Sequence, residues 1–254
     1  MTIFLCKQEW EDMLTCIYEA WTSRRGHNNI RLCLEPLNQY SLFDEYIHVE
    51  ADADKAAKVT DAINTRISPF YYWNLCYISM SAQEDVLDII YRMLLLGFHY
   101  GPSAVDMYQY KETLRFFDIK RSYSNEVHSF REFLRFHELP GGIYVAHIEP
   151  KSRVVWPLGN MFADRMPSEH FMIVDDVHLE AVVHPRDSEC YIRRLTVSEL
   201  CKLLESERVD DEYTDLWKVF FDSIAIKERY NPRCQRNLFP IWFRKHVTEF
   251  ASDK

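Results

Sequence analysis

The sequence is poor in glycine and proline, with 6 and 10 among 254 residues, and this scarcity argues against low-complexity disorder. It contains no Walker loop, no dinucleotide-binding Gly-x-Gly-x-x-Gly and no Gly-x-Ser-x-Gly nucleophile motif. It also has no His-Glu-x-x-His zinc motif and no zinc-deaminase signature. The chain thus offers no ordinary nucleotide-binding or hydrolase motif, which counts against an autonomous enzyme, and the sequence predicts no cofactor.

The seven cysteines are scattered and odd in number, and no two of them form a Cys-x-x-Cys pair. This spacing excludes a ribbon-type zinc site and the usual radical-SAM cluster motif. It is typical of reduced, buried thiols in a reducing compartment. The first residues lack a signal-peptide pattern, and no apolar run approaches the length of a membrane span. We therefore expect a cytoplasmic protein without a membrane partner.

Stretches in which apolar residues recur at the spacing of a helix alternate with stretches in which they recur at the spacing of a strand. This pattern predicts an α+β fold. Apolar residues recur at helical spacing over Trp10–Trp21, whereas the alternation over 30–34 predicts a strand. The stretch 129–150 is interpreted as two strands joined by a Pro-Gly-Gly turn, with Arg131, Phe133 and Arg135 on one face. A helix through Phe130 and Phe133 is the alternative interpretation. A short helix near Pro157, a hairpin from residue 170 and one more strand complete the middle of the chain.

These elements predict one domain over residues 1–254. A central antiparallel sheet of about five strands is expected between N-terminal and C-terminal helices. The N-terminal helical part covers about 1–122, the sheet part about 123–195 and the C-terminal helical part about 196–254.

The charge distribution is uneven. The chain carries a formal net charge of −9, yet 226–246 holds six cations against one anion. Aromatic residues alternate with these cations, and the preceding stretch 198–216 is acidic. Cations beside aromatic rings suit phosphates and stacked bases; alternatively, the rings are buried and the cations pair with the acidic stretch. The residues of this stretch predicted to bind nucleic acid are Arg229, Tyr230, Arg233, Arg236 and Trp242.

Two further groups of cations are candidates for phosphate contacts. Arg131 and Arg135, four residues apart on one face of the predicted strand, could present guanidinium groups to consecutive phosphates. Arg24, Arg25 and His27 occupy a loop after the first helix. A solvated sheet face and a helix C-terminus that favours cations are the structural alternatives for these two groups.

Acid–base chemistry has weaker candidates. Glu126 and His128 could polarise each other, and Asp164 lies at a predicted helix end. Asp175 and Asp176 precede His178, which raises the possibility of a hard metal ion. Because neighbours on a strand point to opposite faces, the two aspartates fit a hairpin turn better, and no metal site is predicted.

Several motifs together resemble a bacterial family known as "probable DNA metabolism protein". They are "YEAWTSRRGHNNI", "NEVHSFREFLRF", "GGIYVAHIEPKSRVV", "FADRM" and "LWKVFFDSIAIKERYNPRCQ", and they span nearly the whole chain in order. The family is encoded beside a radical-SAM protein described as a DNA modification or repair enzyme, and some relatives are fused to a uracil-DNA-glycosylase-like domain. The family pattern has His-Phe-Ala-Asp-Arg, whereas Met161 takes the place of the histidine here.

The resemblance implies a process and not a reaction. The first hypothesis is a DNA-binding accessory protein in DNA repair or modification that acts with the radical-SAM partner enzyme. The second is an enzyme acting directly on DNA, glycosylase-like or nuclease-like, with Glu126, His128, Asp164 and His178 as its acid–base groups. The third is a protein–protein adaptor without nucleic-acid contact.

Overall fold

The computed structural model describes residues 1–37, 39–139, 141–206 and 231–247, together with residues 216, 219, 220, 223 and 224. Strands and helices are both present, so the predicted α+β class is confirmed. The chain divides into two units, Met1–Ser124 and Asn125–Lys254, and each is described by itself. None of the helices in the described part of the chain combines the length and apolar character needed to cross a membrane.

The strands are β1 (Thr2–Cys6), β2 (Ile30–Leu34), β3 (Glu45–His48), β4 (His137–Leu139), β5 (Ile143–Ile148), β6 (His170–Asp175), β7 (Glu180–His184) and β8 (Tyr191–Arg194). The helices are α1 (Trp10–Thr22), α2 (Ala53–Arg66), α3 (Pro69–Ser79), α4 (Val86–Tyr100), α5 (Lys111–Phe133), α6 (Val155–Ala163), α7 (Val197–Ser206) and α8 (Pro232–Leu238). Short 3-10 turns cover His27–Asn29, Gly101–Asp106 and Ile241–His246.

The N-terminal unit packs helices on a small parallel sheet with the strand order β2-β1-β3. All five residues of β1 are buried, as expected for a central strand covered on both faces. The apolar stripe of α1, including Met13, Leu14 and Ile17, contributes to the core of this unit. The predicted first helix and the predicted strand over 30–34 are therefore confirmed.

The C-terminal unit contains the predicted five-stranded sheet, in the order β4-β5-β6-β7-β8. Three of its neighbouring pairs are antiparallel, but β5 and β6 are parallel. The prediction of a wholly antiparallel sheet was wrong at this pair. A parallel pair needs a crossover connection, and α6, predicted only as an inserted helix, is part of that connection.

The strand predicted through Arg131, Phe133 and Arg135 is not formed. Helix α5 continues to Phe133, so Arg131 is helical and Arg135 lies in the short segment before β4. The buried side chains of Val127, Phe130 and Leu134 share one face at helical spacing. The helical alternative is therefore the correct one, because burial of these residues follows a period of 3.6 and not of 2.

Gly159 sets the distance between α6 and the sheet. A Cβ atom at this position would lie only 2.3 Å from a methyl carbon of Val182 in β7. Val182 is completely buried. Only glycine therefore lets the crossover helix approach β7 this closely.

Candidate functional site

The carboxyl ends of the parallel strands β5 and β6 bring acidic and imidazole side chains together. Glu149 follows β5 directly, and Asp176 follows β6. His246, the last residue of the 3-10 turn after α8, joins them. One donor atom from each of these three residues lies within 4.8 Å of the other two, so they could hold a metal ion. We call Glu149, Asp176 and His246 the carboxylate–histidine cluster.

His147 supports this cluster from within β5. Its side chain is almost fully buried, and its Nδ1 atom lies 2.7 Å from Oδ1 of Asp176. Its ring also stacks near that of His246, with 6.2 Å between the ring centroids. The contact to Oδ1 fixes the Asp176 carboxylate, whose other oxygen, Oδ2, lies 4.0 Å from Nε2 of His246.

Charges around Glu149 determine the protonation of the cluster. Oε1 of Glu149 contacts the ammonium group of Lys245 and lies 3.4 Å from Nε2 of His246. Burial opposes ionisation of Glu149, but Lys245 and His246 outweigh it and hold the pKa of this carboxyl below its usual value. Burial lowers the pKa of His246 despite the neighbouring Asp176 and Glu149 carboxylates. At neutral pH Glu149 is therefore ionised and the His246 imidazole is neutral.

The adjacent Asp175 has a separate, structural role. Its carboxylate accepts hydrogen bonds from the backbone N–H groups of Val177 and His178, each at 2.9 Å. The ring of His178 lies 2.6 Å from the same carboxylate. Asp175 thus organises the turn between β6 and β7, as expected for a hairpin, while Asp176 faces the cluster. His178, a predicted acid–base group, is engaged by this turn.

Aromatic contacts connect the end of α5 to the C-terminal stretch. The Phe133 ring lies 4.1 Å from that of Phe239 and 5.5 Å from that of Phe243, measured between centroids. Phe130 contacts Phe243 at 4.8 Å and Trp242 at 5.5 Å. The two cation-bearing segments that the sequence singled out are therefore joined by one group of rings. We call these five residues the aromatic junction.

The predicted cations on either side of the aromatic junction are placed as follows. Arg131 donates a hydrogen bond of 3.0 Å to Nδ1 of the exposed His128, whose Nε2 pairs with Glu132 at 3.0 Å. Arg135 donates to the carbonyl oxygens of Glu132 and Leu134. His128 is thus part of a surface network on α5, and the pairing of Glu126 with His128 that the sequence suggested is replaced by this one.

Arg233 and Arg236 lie exposed on α8, and Trp242 is exposed in the following 3-10 turn. Among the described residues, neither arginine forms an ion pair with a carboxylate. Lys245 pairs with Glu149 of the sheet. Most acids of the stretch 198–216, the alternative partner of these cations, lie outside the residues that the structure describes. Arg229 and Tyr230, the remaining candidates of this stretch, lie outside the residues that the structure describes.

The loop after α1 belongs to the N-terminal unit. Arg24 is exposed with a positive φ of 54°. Arg25 forms an ion pair with Glu45 and donates a hydrogen bond of 3.0 Å to Thr2 Oγ1, and the hydrogen bond from Arg25 lowers the pKa of Glu45. Nδ1 of His27 lies 2.8 Å from the hydroxyl oxygen of Tyr91. Two of the three predicted side chains therefore already have protein partners.

Glu126 and Asp164 lie at structural positions. Oε1 of Glu126 accepts hydrogen bonds from the backbone N–H groups of Lys151 at 2.7 Å and Ser152 at 3.2 Å. This contact shapes the loop after β5 in which Glu149 lies. Asp164 is the exposed residue that ends α6, and Met161 is half-buried within that helix.

Sequence reasoning missed His147, Glu149 and His246. The available signal was the order strand–helix–strand over 143–175, which is typical of a parallel pair whose carboxyl ends meet at one edge. Glu149 and Asp176 would then have been expected as neighbours. No spacing motif marks His246, because it comes from the far end of the chain.

Comparison with known proteins identifies one family. The profile of the domain of unknown function DUF4130 matches residues 84–249, about two thirds of the chain. No curated protein matches. The matched region contains the whole carboxylate–histidine cluster and the whole aromatic junction. The chain therefore belongs to the family defined by domain of unknown function DUF4130.

Proposed function

We propose that this protein is a DNA-binding accessory protein in DNA repair or modification, and that it acts with a radical-SAM partner enzyme. The observation that carries the DNA-binding part is the aromatic junction. It fixes two segments, each with two of the predicted arginines, to one another within the C-terminal unit. DNA binding needs cations held in a defined arrangement, and rings packed edge to face or tilted against one another have a preferred geometry that supplies it.

The chemistry around the junction suits nucleic acid. Arg233 and Arg236 are exposed, and the Lys151 ammonium lies 5.4 Å from the centre of the Trp242 ring. Trp242 also retains 37% of its surface exposed, so one part of the indole is available to a base. A cation beside an accessible ring is the combination that single-stranded DNA sites use, since phosphates are neutralised while bases stack.

The role in DNA repair or modification and the radical-SAM partner enzyme are proposed on the basis of the family resemblance. Related proteins are encoded beside a radical-SAM DNA modification or repair enzyme, and the cysteine spacing here does not match a radical-SAM cluster motif. In this proposal the partner performs the radical chemistry and the present chain binds the DNA.

Salt-dependent DNA binding tests the proposal. Each phosphate contact that is lost reduces the slope of log K against log salt by about 0.9 for duplex DNA and about 0.7 for single strands. Arg131→Ala with Arg135→Ala should lower the slope by nearly 2, and Arg233→Ala with Arg236→Ala should do the same. The measurement is fluorescence anisotropy of labelled duplex and single-stranded oligonucleotides over a series of salt concentrations.

The matched control is Lys111→Ala with Arg121→Ala, because it removes two exposed cations from the N-terminal part of the same helix α5. Its slope should equal that of the wild type. Equal slopes for all three double variants would reject the assigned surface, and an affinity independent of salt would favour the adaptor hypothesis. Retention of the radical-SAM protein on the tagged chain after nuclease treatment tests direct contact between the two proteins.

A further inference from the structure

The carboxylate–histidine cluster has the composition of a metal site, although no metal motif is visible in the sequence. We propose that Glu149, Asp176 and His246 bind one divalent first-row transition-metal ion, of which Mn²⁺ is the class representative. Imidazole nitrogen together with two carboxylate oxygens suits Mn²⁺, Co²⁺ or Zn²⁺ better than Mg²⁺ or Ca²⁺, which prefer an all-oxygen shell.

The distances fit a single ion. Ligand atoms about 2.1 Å from one metal ion lie about 3.0 Å apart at the right angles of octahedral coordination and about 3.4 Å apart in a tetrahedron. Nε2 of His246 is 3.4 Å from Oε1 of Glu149 and 4.0 Å from Oδ2 of Asp176. All three donor atoms lie within 4.8 Å of one another, so side-chain adjustments of about 1 Å would place them around one ion.

The orientation of the side chains is a second and independent indication. Nε2 of His246 is buried and faces both carboxylates, and its 3.4 Å contact with Oε1 of Glu149 is too poorly aligned to count as a hydrogen bond. Buried polar atoms rarely lack a well-formed hydrogen bond, and a metal ion bound to Nε2 would satisfy this atom. His147 holds Oδ1 of Asp176 at 2.7 Å and so directs Oδ2 towards His246. Carboxylates that bind metals are commonly oriented by hydrogen bonds of this kind.

Lys245 provides the alternative explanation and the means to test it. Its ammonium group already contacts Oε1 of Glu149, so the cluster could be a simple ion-pair network. If the cluster binds a metal, the ammonium competes with the ion for the same oxygen. Lys245→Met should then increase metal affinity, by tenfold if the competition costs about 1.4 kcal/mol. An ion-pair network without metal affinity predicts no such gain.

The experiment uses the full chain and Mn²⁺, whose free form is quantified by electron paramagnetic resonance. Mn²⁺ is preferred over Zn²⁺ because the exposed thiols of Cys201 and Cys234 would capture zinc. We expect one equivalent of Mn²⁺ per wild-type chain and at least tenfold weaker binding for Asp176→Asn and for His246→Gln. The control Asp164→Asn, at an exposed carboxylate outside the cluster, should bind like the wild type.

Asp176→Asn or His246→Gln could lose Mn²⁺ binding simply because the variant misfolds. The increase in Mn²⁺ affinity expected for Lys245→Met excludes this explanation of the site, because a damaged fold would not bind the ion more tightly. The absence of stoichiometric Mn²⁺ binding by the wild type would overturn the proposal. Equal affinity of the wild type, Asp176→Asn and His246→Gln would do so as well. DNA binding measured with a chelator present tests the DNA proposal independently, so that either proposal can fail alone.

Discussion

Replacing Gly159 by alanine tests how closely the crossover helix α6 must approach the sheet. The added Cβ would lie 2.3 and 2.8 Å from the two methyl carbons of Val182 and 3.1 Å from its Cβ. Ordinary carbon–carbon contacts are about 3.5–4.0 Å, so the first overlap exceeds 1 Å by a rough estimate. Val182 is β-branched and buried in β7, between β6 and β8, and cannot rotate away easily.

The expected cost follows from two opposing effects. Overpacking of a core costs about 1–3 kcal/mol, and the size of this overlap favours the upper end. Alanine is favoured over glycine within a helix by about 1 kcal/mol, which offsets part of the cost. We therefore expect Gly159→Ala to lower the free energy of unfolding by about 2 kcal/mol. With a denaturant dependence of about 2 kcal/mol per molar urea, the midpoint of urea unfolding should fall by about 1 M.

The double variant Gly159→Ala with Val182→Ala isolates the contact. Val182→Ala alone removes two methyl groups and should cost about 2 kcal/mol. Because the new methyl at residue 159 occupies the vacated space, the double variant should be no less stable than Val182→Ala. This corresponds to a coupling energy of about 2 kcal/mol. If the two single losses simply add, the inferred contact between α6 and β7 is wrong.

The remaining predictions concern pH and the aromatic junction. Burial holds the folded-state pKa of His246 below its ordinary value of 6.5, so the unfolded chain binds more protons as the pH falls through that value. Unfolding free energy in urea should therefore decrease from about pH 7 to pH 5, and His246→Gln should reduce this decrease; equal slopes would contradict the assignment. The lowered pKa of Glu149 contributes stability above its ordinary value of 4.5 that is lost in stronger acid. Phe133→Ala, which removes two ring contacts, should cost about 2 kcal/mol and weaken DNA binding, whereas Phe133→Leu should cost less than half as much. Unfolding curves and anisotropy titrations measure both effects, and an unchanged DNA affinity for Phe133→Ala would argue against the junction as the binding scaffold.

Local patterns predicted much of the fold because the apolar residues within many helices and strands recur at the spacing typical of that element. Helix α1 and strands β1 and β2 could be predicted from a few residues each, since burial on one face or on both dictates the spacing of apolar side chains. The end of α5 could not be predicted from its own residues. Its apolar residues Phe130 and Phe133 are compatible with two periods, and their partners Phe239 and Phe243 are remote in sequence.

The candidate site was even less accessible to sequence reasoning. Asp176 attracted attention only through its neighbours Asp175 and His178, which turned out to form the turn between β6 and β7. The residues that Asp176 approaches are His147, Glu149 and His246, and none of them stands at a recognisable spacing from it. Their proximity depends on the parallel direction of β5 and β6, which was predicted as antiparallel.

The parallel pairing of β5 with β6 also has a consequence for the order of folding. The hairpin of β6 and β7 closes over a short turn, whereas β5 can join β6 only after the intervening residues have formed α6 and returned. Glu149 and Asp176 directly follow the two strands that pair late, and His246 comes from a still more distant segment. A nascent or partly folded chain therefore holds these side chains apart, and whatever the assembled group binds is recognised only by a chain that has nearly completed its fold.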